Sequence, residues 1–250
     1  MEVMSAGALR ERHRAVRDCQ SEALAIRLHR AISWLQRSER SADDNDTRFI
    51  QLWIAFNAAY AGEFDSEQSE RERVASFVAR LVAADTHQQL HSLLFKQFPG
   101  PIRLLIDNRY VFAPFWRALR DHDPSERWKS QFNASRKAAM DALLGHRTAD
   151  LLTIVLGRLY VLRNQLVHGG ATWNSSINRN QLRDANALLG ALLPTIISLM
   201  METDAFEDDA IAYPVVPEYT SAAQAGTSPA NPAPCPQGPA TATGTVATTD

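Results

Sequence analysis

Apolar residues recur every three or four positions through most of this chain, which is the period of one helix face. The first such stretch, residues 23–37, aligns Leu24, Leu28, Ala31, Ile32 and Leu35, and the polar run SERSADDNDT ends it. A second helix is predicted over residues 47–62, with Asp46 as its N-cap. Phe49, Leu52, Trp53, Phe56 and Tyr60 form an aromatic core stripe along it, and Asn57 sits beside Trp53 and Tyr60. A buried amide needs partners. For Asn57 these are either the helix carrying Arg163 or nearby backbone. Further amphipathic helices are expected over residues 66–84, capped at Asp65 or Ser66, and from Asp85 or Thr86 through HQQLHSLLFKQF. Pro99-Gly100-Pro101 is a break. Two short helical pieces split near Asn108 and Pro114 follow, then a helix opening at Asp123-Pro124, carrying Trp128, Phe132, Met140, Leu143 and Leu144, and ending at Gly145. The last helix, capped by Asn178 or Asn180, runs to about Met201, and Pro194 should kink it.

The chain is organised around residues 148–170, TADLLTIVLGRLYVLRNQLVHGG. Thr148 and Asp150 favour a helix start, and Gly169-Gly170 favour its end. The segment between is apolar almost all round, so it should be buried on most sides as the central helix of a bundle. At roughly 30 Å it has the length of a membrane span. Arg158, Arg163, Asn164 and Gln165 interrupt it, however, and charges within a span are costly. At about 100° per residue, Thr153, Gly157, Asn164 and His168 share a stripe roughly 60° wide. Gly157 would let another backbone approach that stripe. Arg163 projects among Leu152, Leu156, Leu159, Leu166 and Val167, where a charge needs an anion or carbonyl partner. Arg163 and His168 diverge by roughly 140°, so one helix does not aim both at one target; fraying at Gly169 or a second copy across a two-fold axis would. The plainer reading makes His168 a helix cap and Arg163 a structural ion-pair partner.

Arg163-Asn164-Gln165-Leu166-Val167-His168 resembles the R-x4-6-H signature of the HEPN superfamily (higher eukaryotes and prokaryotes nucleotide-binding domains), including the polar residue after the arginine. RFIQLWIAFNAAYA is similar to the first core helix of bacterial HEPN proteins related to the Apea-like group. The resemblance spans residues 20–203 and is strongest on two helices. It implies an all-α helical bundle that forms a homodimer, with two motifs facing across the interface. Many members of that superfamily are metal-independent endoribonucleases; others only bind nucleotides or partners. Carried onto this chain, the chemistry starts with attack of an RNA 2′-hydroxyl on the adjacent phosphorus. His168 moves the proton, Arg163 stabilises the phosphoryl oxygens, and Asn164 orients His168 or contacts phosphate. The product would carry a 2′,3′-cyclic phosphate, and neither metal nor cofactor is called for. Asn57 would stand behind these groups.

Charge and composition alter this little. The net charge is −2, but from Glu202 onward there are seven acidic residues and no Lys or Arg, leaving the rest of the chain at +5. A mildly basic body suits phosphate contact without establishing it. Only three of the 26 basic residues are lysine, which suits phosphate gripping and equally follows from a GC-rich genome. Cys19 and Cys235 lie far apart with no CxxC, so there is no disulfide framework, as in a reducing compartment. MEVMSAGALRERHRAVRDCQ lacks the apolar core of a signal peptide, and no run is read as a bilayer span; a cytoplasmic protein without a membrane partner is expected. His87 and His91 have metal-site spacing but no third ligand, and HQQLH lacks the glutamate of HExxH; they read as surface histidines. No strand pattern, fixed repeat or phosphate-loop motif occurs.

Four regions are predicted: residues 1–19 as an arm or helical extension, 20–203 as the helical domain, 204–213 as an acidic connector, and 214–250 as a disordered tail rich in Pro, Ala and Thr. The leading functional expectation is an endoribonuclease of HEPN type acting on RNA, as a toxin or antiphage effector. A neutralising antitoxin or nucleotidyltransferase is an expected partner. Two alternatives remain open: a non-catalytic module binding RNA, a nucleotide or a protein, and a purely structural helical dimer.

Overall fold

The computed structural model describes residues 4–60, 70–176 and 178–216, and every regular element among them is helical. The proposed caps Asp65 and Ser66, Cys235 and most of the Pro- and Ala-rich tail lie outside the described residues. So the all-α expectation holds. The helices are α1 (Ala6–Val16), α2 (Glu22–Glu39), α3 (Asn45–Tyr60), α4 (Glu70–Ala84), α5 (Gln89–Ser92), α6 (Pro99–Asp107), α7 (Ala113–Arg120), α8 (Arg127–Leu144), α9 (Thr148–Val167) and α10 (Arg179–Glu202).

A short loop folds α2 back on α3, and α10 packs against α3. Leu28, Ala31, Ile32 and Leu35 of α2 meet the buried Phe49, Leu52 and Phe56 of α3, while Trp53 reaches Tyr160 of α9 with ring centroids 6.1 Å apart. Helix α9 is buried along Leu151, Leu152, Val155, Leu156, Leu159 and Leu162, and packs on α3, α4, α6 and α8. The α10 segment is long and apolar enough to cross a membrane, contrary to the sequence reading that no run qualified. Yet 78% of its apolar window is buried inside the protein, where it packs against α1, α2, α3 and α6. It also continues through Pro194 to Glu202.

Local chemistry moves several predicted boundaries. Asp44, not Asp46, caps α3: its carboxylate accepts from the Asp46 and Thr47 amides and the Thr47 hydroxyl, and these bonds, Thr47 foremost, hold it below the usual carboxylate range. Asp46 is instead buried and binds Arg179 at 2.8 Å. Asp85 accepts from the Gln89 and Leu90 amides and so caps α5, which runs on as a π-helical turn, Leu93–Gln97. Pro99 then opens α6, so the Pro-Gly-Pro break ends one axis and starts another. Asp123-Pro124 does not start α8. The Asp123 carboxylate accepts the Ser125 amide in a turn, and Glu126, with φ 52°, precedes the first helical residue Arg127. Of the apolar residues expected on α8, Leu143 is buried but Leu144 is 72% exposed.

The N-terminal arm and the acidic connector, both placed outside the predicted domain, dock on it. Residues 6–16 form α1, with Ala6 and Leu9 buried and the Ala6 amide bonded to Glu39. The acidic connector is a strap. Phe206 is fully buried and packs tilted against Phe77, ring centroids 5.4 Å apart. Asp209 bridges Arg27 at 2.9 Å and Arg80 at 2.7 Å, and Arg27 also gives two bonds to the Ala59 carbonyl. Only 1% of the Arg27 side chain is exposed, and burial pulls its pKa down while Asp209 works against that. For Asp209, burial disfavours ionisation, but the bonds and charges of Arg80 and Arg27 outweigh it and hold the carboxyl low. Asp209 therefore ties α2 to α4, and Arg27 carries the tie to the end of α3.

Removing that carboxylate leaves a buried guanidinium without its counter-charge. Asp209→Asn should cost about 3 kcal/mol in denaturant melts at neutral pH. Because the folded pKa is depressed, the contribution is present above the ordinary carboxylate value of about 4 and is lost as pH falls below it. The gap between wild type and Asp209→Asn should therefore shrink on acidification; an unchanged gap would assign the loss to packing instead.

Candidate functional site

Helix α9 ends as its glycines predict. His168 is the last, half-helical residue, and Gly169 takes φ +67°. The Gly169 amide bonds Leu166 O at 3.2 Å and the Gly170 amide bonds Gln165 O at 2.7 Å, the paired bonds of a Schellman motif. A Cβ on Gly170 would lie 3.1 Å from the Gln165 carbonyl, so the second glycine is needed for close approach. The motif fixes the His168 backbone at the helix mouth and leaves its side chain exposed.

Arg163 and Asn164 are brought together. Arg163 donates through Nη1 to Asn164 Oδ1 at 2.9 Å. His168 touches this pair only through its backbone amide, which bonds Asn164 O at 3.0 Å. Among the described residues no side-chain hydrogen bond or ion pair joins His168 to Arg163 or Asn164. Asn57 is half-buried on α3, and its Oδ1 is buried with no hydrogen-bond partner.

Arg163 itself is half-exposed, against the expectation of an arginine sunk among leucines. Its angular position is right, but the core thins where α9 ends: Leu166 is only partly buried and Val167 is 47% exposed. The buried arginine of α9 is Arg158, 3% exposed. Its guanidinium lies 4.5 Å from the Phe112 ring and 5.2 Å from Phe132, and Nη2 donates to Ser135 Oγ at 3.1 Å. Nη1 is buried without a partner, and burial lowers the pKa to about 10. The aromatic residues downstream of Asn108 were the sequence signal for this position, since an arginine stacks on aromatic faces.

The polar stripe does face outward. Thr153 and Asn164 are half-exposed, and Gly157 and His168 are exposed. Nothing lies within 4 Å of a Cβ built on Gly157, so among the described residues no backbone approaches it.

The loop after α9 is held on two sides. Asp46 accepts from Arg179 and from the Asn174 amide at 3.2 Å, while Asn178 Nδ2 donates to Gln165 Oε1 at 3.1 Å. Asn178 is not the side-chain cap of α10; it takes φ 58° and bonds sideways. Gln165 also donates to the Tyr110 carbonyl, which accepts the Trp116 indole N–H at 2.7 Å. His91 pairs with His146, not with His87: the ring nitrogens stand 3.2 Å apart, and burial followed by the His146 charge lowers the His91 pKa. Among the described residues no group of three or more His, Cys, Asp or Glu could hold a metal ion.

No family model matches this chain, no curated protein matches it, and no solved structure matches it. The chemistry of the site therefore stands on its own residues. An exposed imidazole at a helix end, one turn from an arginine–amide pair with no acidic partner among the described residues, can contact a phosphate and move a proton near it.

The contrast between the two arginines is measurable. Arg158→Met keeps volume between Phe112 and Phe132 and removes a desolvated charge, so stability should be unchanged or higher. Arg158→Ala leaves a cavity and should cost about 2 kcal/mol. Chemical denaturation of both variants checks this, and a methionine variant that loses as much stability as the alanine one would mean that the charge itself is needed.

Proposed function

We propose that the protein is a metal-independent endoribonuclease of the HEPN type, working as a homodimer in which two α9 ends share one cleft. The observation that carries this reading is the pairing of Arg163 with Asn164 one turn before an exposed His168 on a rigidly closed helix end. Arg163 has no acidic partner among the described residues, which leaves its remaining donors for phosphoryl oxygens. The 2′-hydroxyl oxygen of RNA attacks the adjacent phosphorus, His168 accepts its proton, and the 5′-oxygen leaves with a proton returned from the protein or solvent. The 2′,3′-cyclic phosphate stays on the upstream fragment.

The open face around Gly157 favours a dimer. It lies on the same stripe as Asn164 and His168, and a bare glycine with free space above it suits close approach of a second helix. A second copy docked there would bring its own Arg163 toward the first His168, which one copy does not do. The alternative, a binding module without catalysis, would keep the same arginine and histidine and differs only in product formation.

Purified protein should cleave single-stranded RNA in EDTA and leave DNA intact. His168→Ala should abolish cleavage with the melting temperature retained, and Arg163→Lys should lower it strongly because the planar fork is lost. Normal cleavage by His168→Ala, or none by wild type across varied sequences and pH, removes the ribonuclease reading and leaves the binding module.

The dimer has a separate test. A Cβ at Gly157 meets no described atom within 4 Å, so in Gly157→Trp the fold should persist by circular dichroism while light scattering shows monomer and activity falls. A dimer that survives the tryptophan places the interface elsewhere.

A further inference from the structure

Helix α7 has no buried residue, although it carries Phe115, Trp116 and Leu119. It packs on α8, whose other side packs on α9, and an aromatic cluster lies between α7 and α8. Phe115 packs edge-on against Trp128 at 4.9 Å and Phe112 against Phe132 at 5.4 Å. Two rings remain substantially open, Tyr110 at 40% and Trp116 at 39%.

Arginines interleave with these rings. The Arg109 guanidinium lies 5.0 Å from the Tyr110 ring and 5.6 Å from Phe115. Arg103, Arg109 and Arg117 have no acidic partner among the described residues. Residues 99–147 hold nine Lys and Arg against five Asp and Glu, in a chain that is −2 overall.

This patch is coupled to the end of α9. The Tyr110 carbonyl accepts from both Gln165 on α9 and the Trp116 indole. Gln165 and His168 are three residues apart, hence neighbours on the helix surface. Partly exposed aromatic rings beside arginines without an acidic partner among the described residues are the recognition chemistry of single-stranded nucleic acid, in which bases stack and guanidiniums track phosphates.

We propose that Tyr110 and Trp116, with Arg109 and Arg117, form a stacking platform for single-stranded RNA that leads the strand to His168. The excess of positive charge selects a polyanion over a second copy of this near-neutral chain. As the substrate-binding arm of the proposed ribonuclease the platform rests on that reading, but its binding step is measured without cleavage.

The probe is a fluorescein-labelled oligouridylate of roughly ten nucleotides, within the usual site sizes. It is titrated by anisotropy into the full-length His168→Ala protein, so that it is not consumed. Trp116→Leu, which keeps apolar volume but cannot stack, should bind roughly tenfold more weakly, the loss of about one stacked base. Arg117→Glu, on the exposed side of α7, should weaken binding comparably and reduce its salt dependence. Both should keep wild-type circular dichroism. Tryptophan emission should be quenched by the probe, and less so in Trp116→Phe.

Unchanged affinity in both variants overturns the platform. So does a Trp116→Leu protein that changes from dimer to monomer while RNA affinity holds, which would make the patch an interface between copies. The two readings separate cleanly: Trp116-dependent binding with no cleavage by wild type keeps the platform and ends the ribonuclease reading. Cleavage with an unchanged KM in Trp116→Leu does the reverse.

Discussion

Helix α9 has to satisfy opposite solvents along its length, and the rest of the molecule is arranged to let it. One face between Leu151 and Leu162 lies in the core, while Val167 and His168 lie in water. A helix that passes from core to surface must end abruptly, because its last carbonyls lose their partners at the boundary. Gly169 and Gly170 close those carbonyls with backbone amides, and Asp46 and Gln165 then pin the following loop. The helix end is thereby fixed without using any side chain of Arg163 or His168, which leaves both available.

Three arginines show how solvation sorts identical side chains. Arg27 is buried with a carboxylate and a carbonyl, so its charge is matched. Arg158 is buried between two phenylalanine rings with one hydroxyl, and its pKa falls to about 10 because nothing fully replaces water. Arg163 is half-exposed and holds a neutral amide. Only the last has donors to offer a ligand without first breaking an ion pair or leaving the core. That distinction, more than the spacing of the motif, separates Arg163 from the other two.

The strap of residues 204–213 changes what the acidic end of the body means. Read as a string of charges it looks like a solvated connector, yet Phe206 fills a core position and Asp209 binds two arginines. Carboxylates that neutralise buried or semi-buried guanidiniums leave the surface more basic elsewhere. The α7–α8 hairpin is where that basic character meets open aromatic rings.

The periodicity of apolar residues was enough to determine an all-helical chain, the aromatic stripe of α3, the outward stripe of α9 and the glycine stop after His168. Each depends on contacts within a turn or two, which sequence encodes directly. Tertiary structure alone decided that Arg158, not Arg163, is the buried arginine of α9, because burial depends on where the neighbouring helices end. It decided that α8 begins at Arg127 rather than at Pro124, since the Asp123 carboxylate closes a turn there. It also decided that His91 meets His146 from the α8–α9 turn, and that Asp209 reaches Arg27 across the sequence. Partners so far apart in the chain leave no period to read, only complementary charge and shape that the packed helices bring within a bond's length.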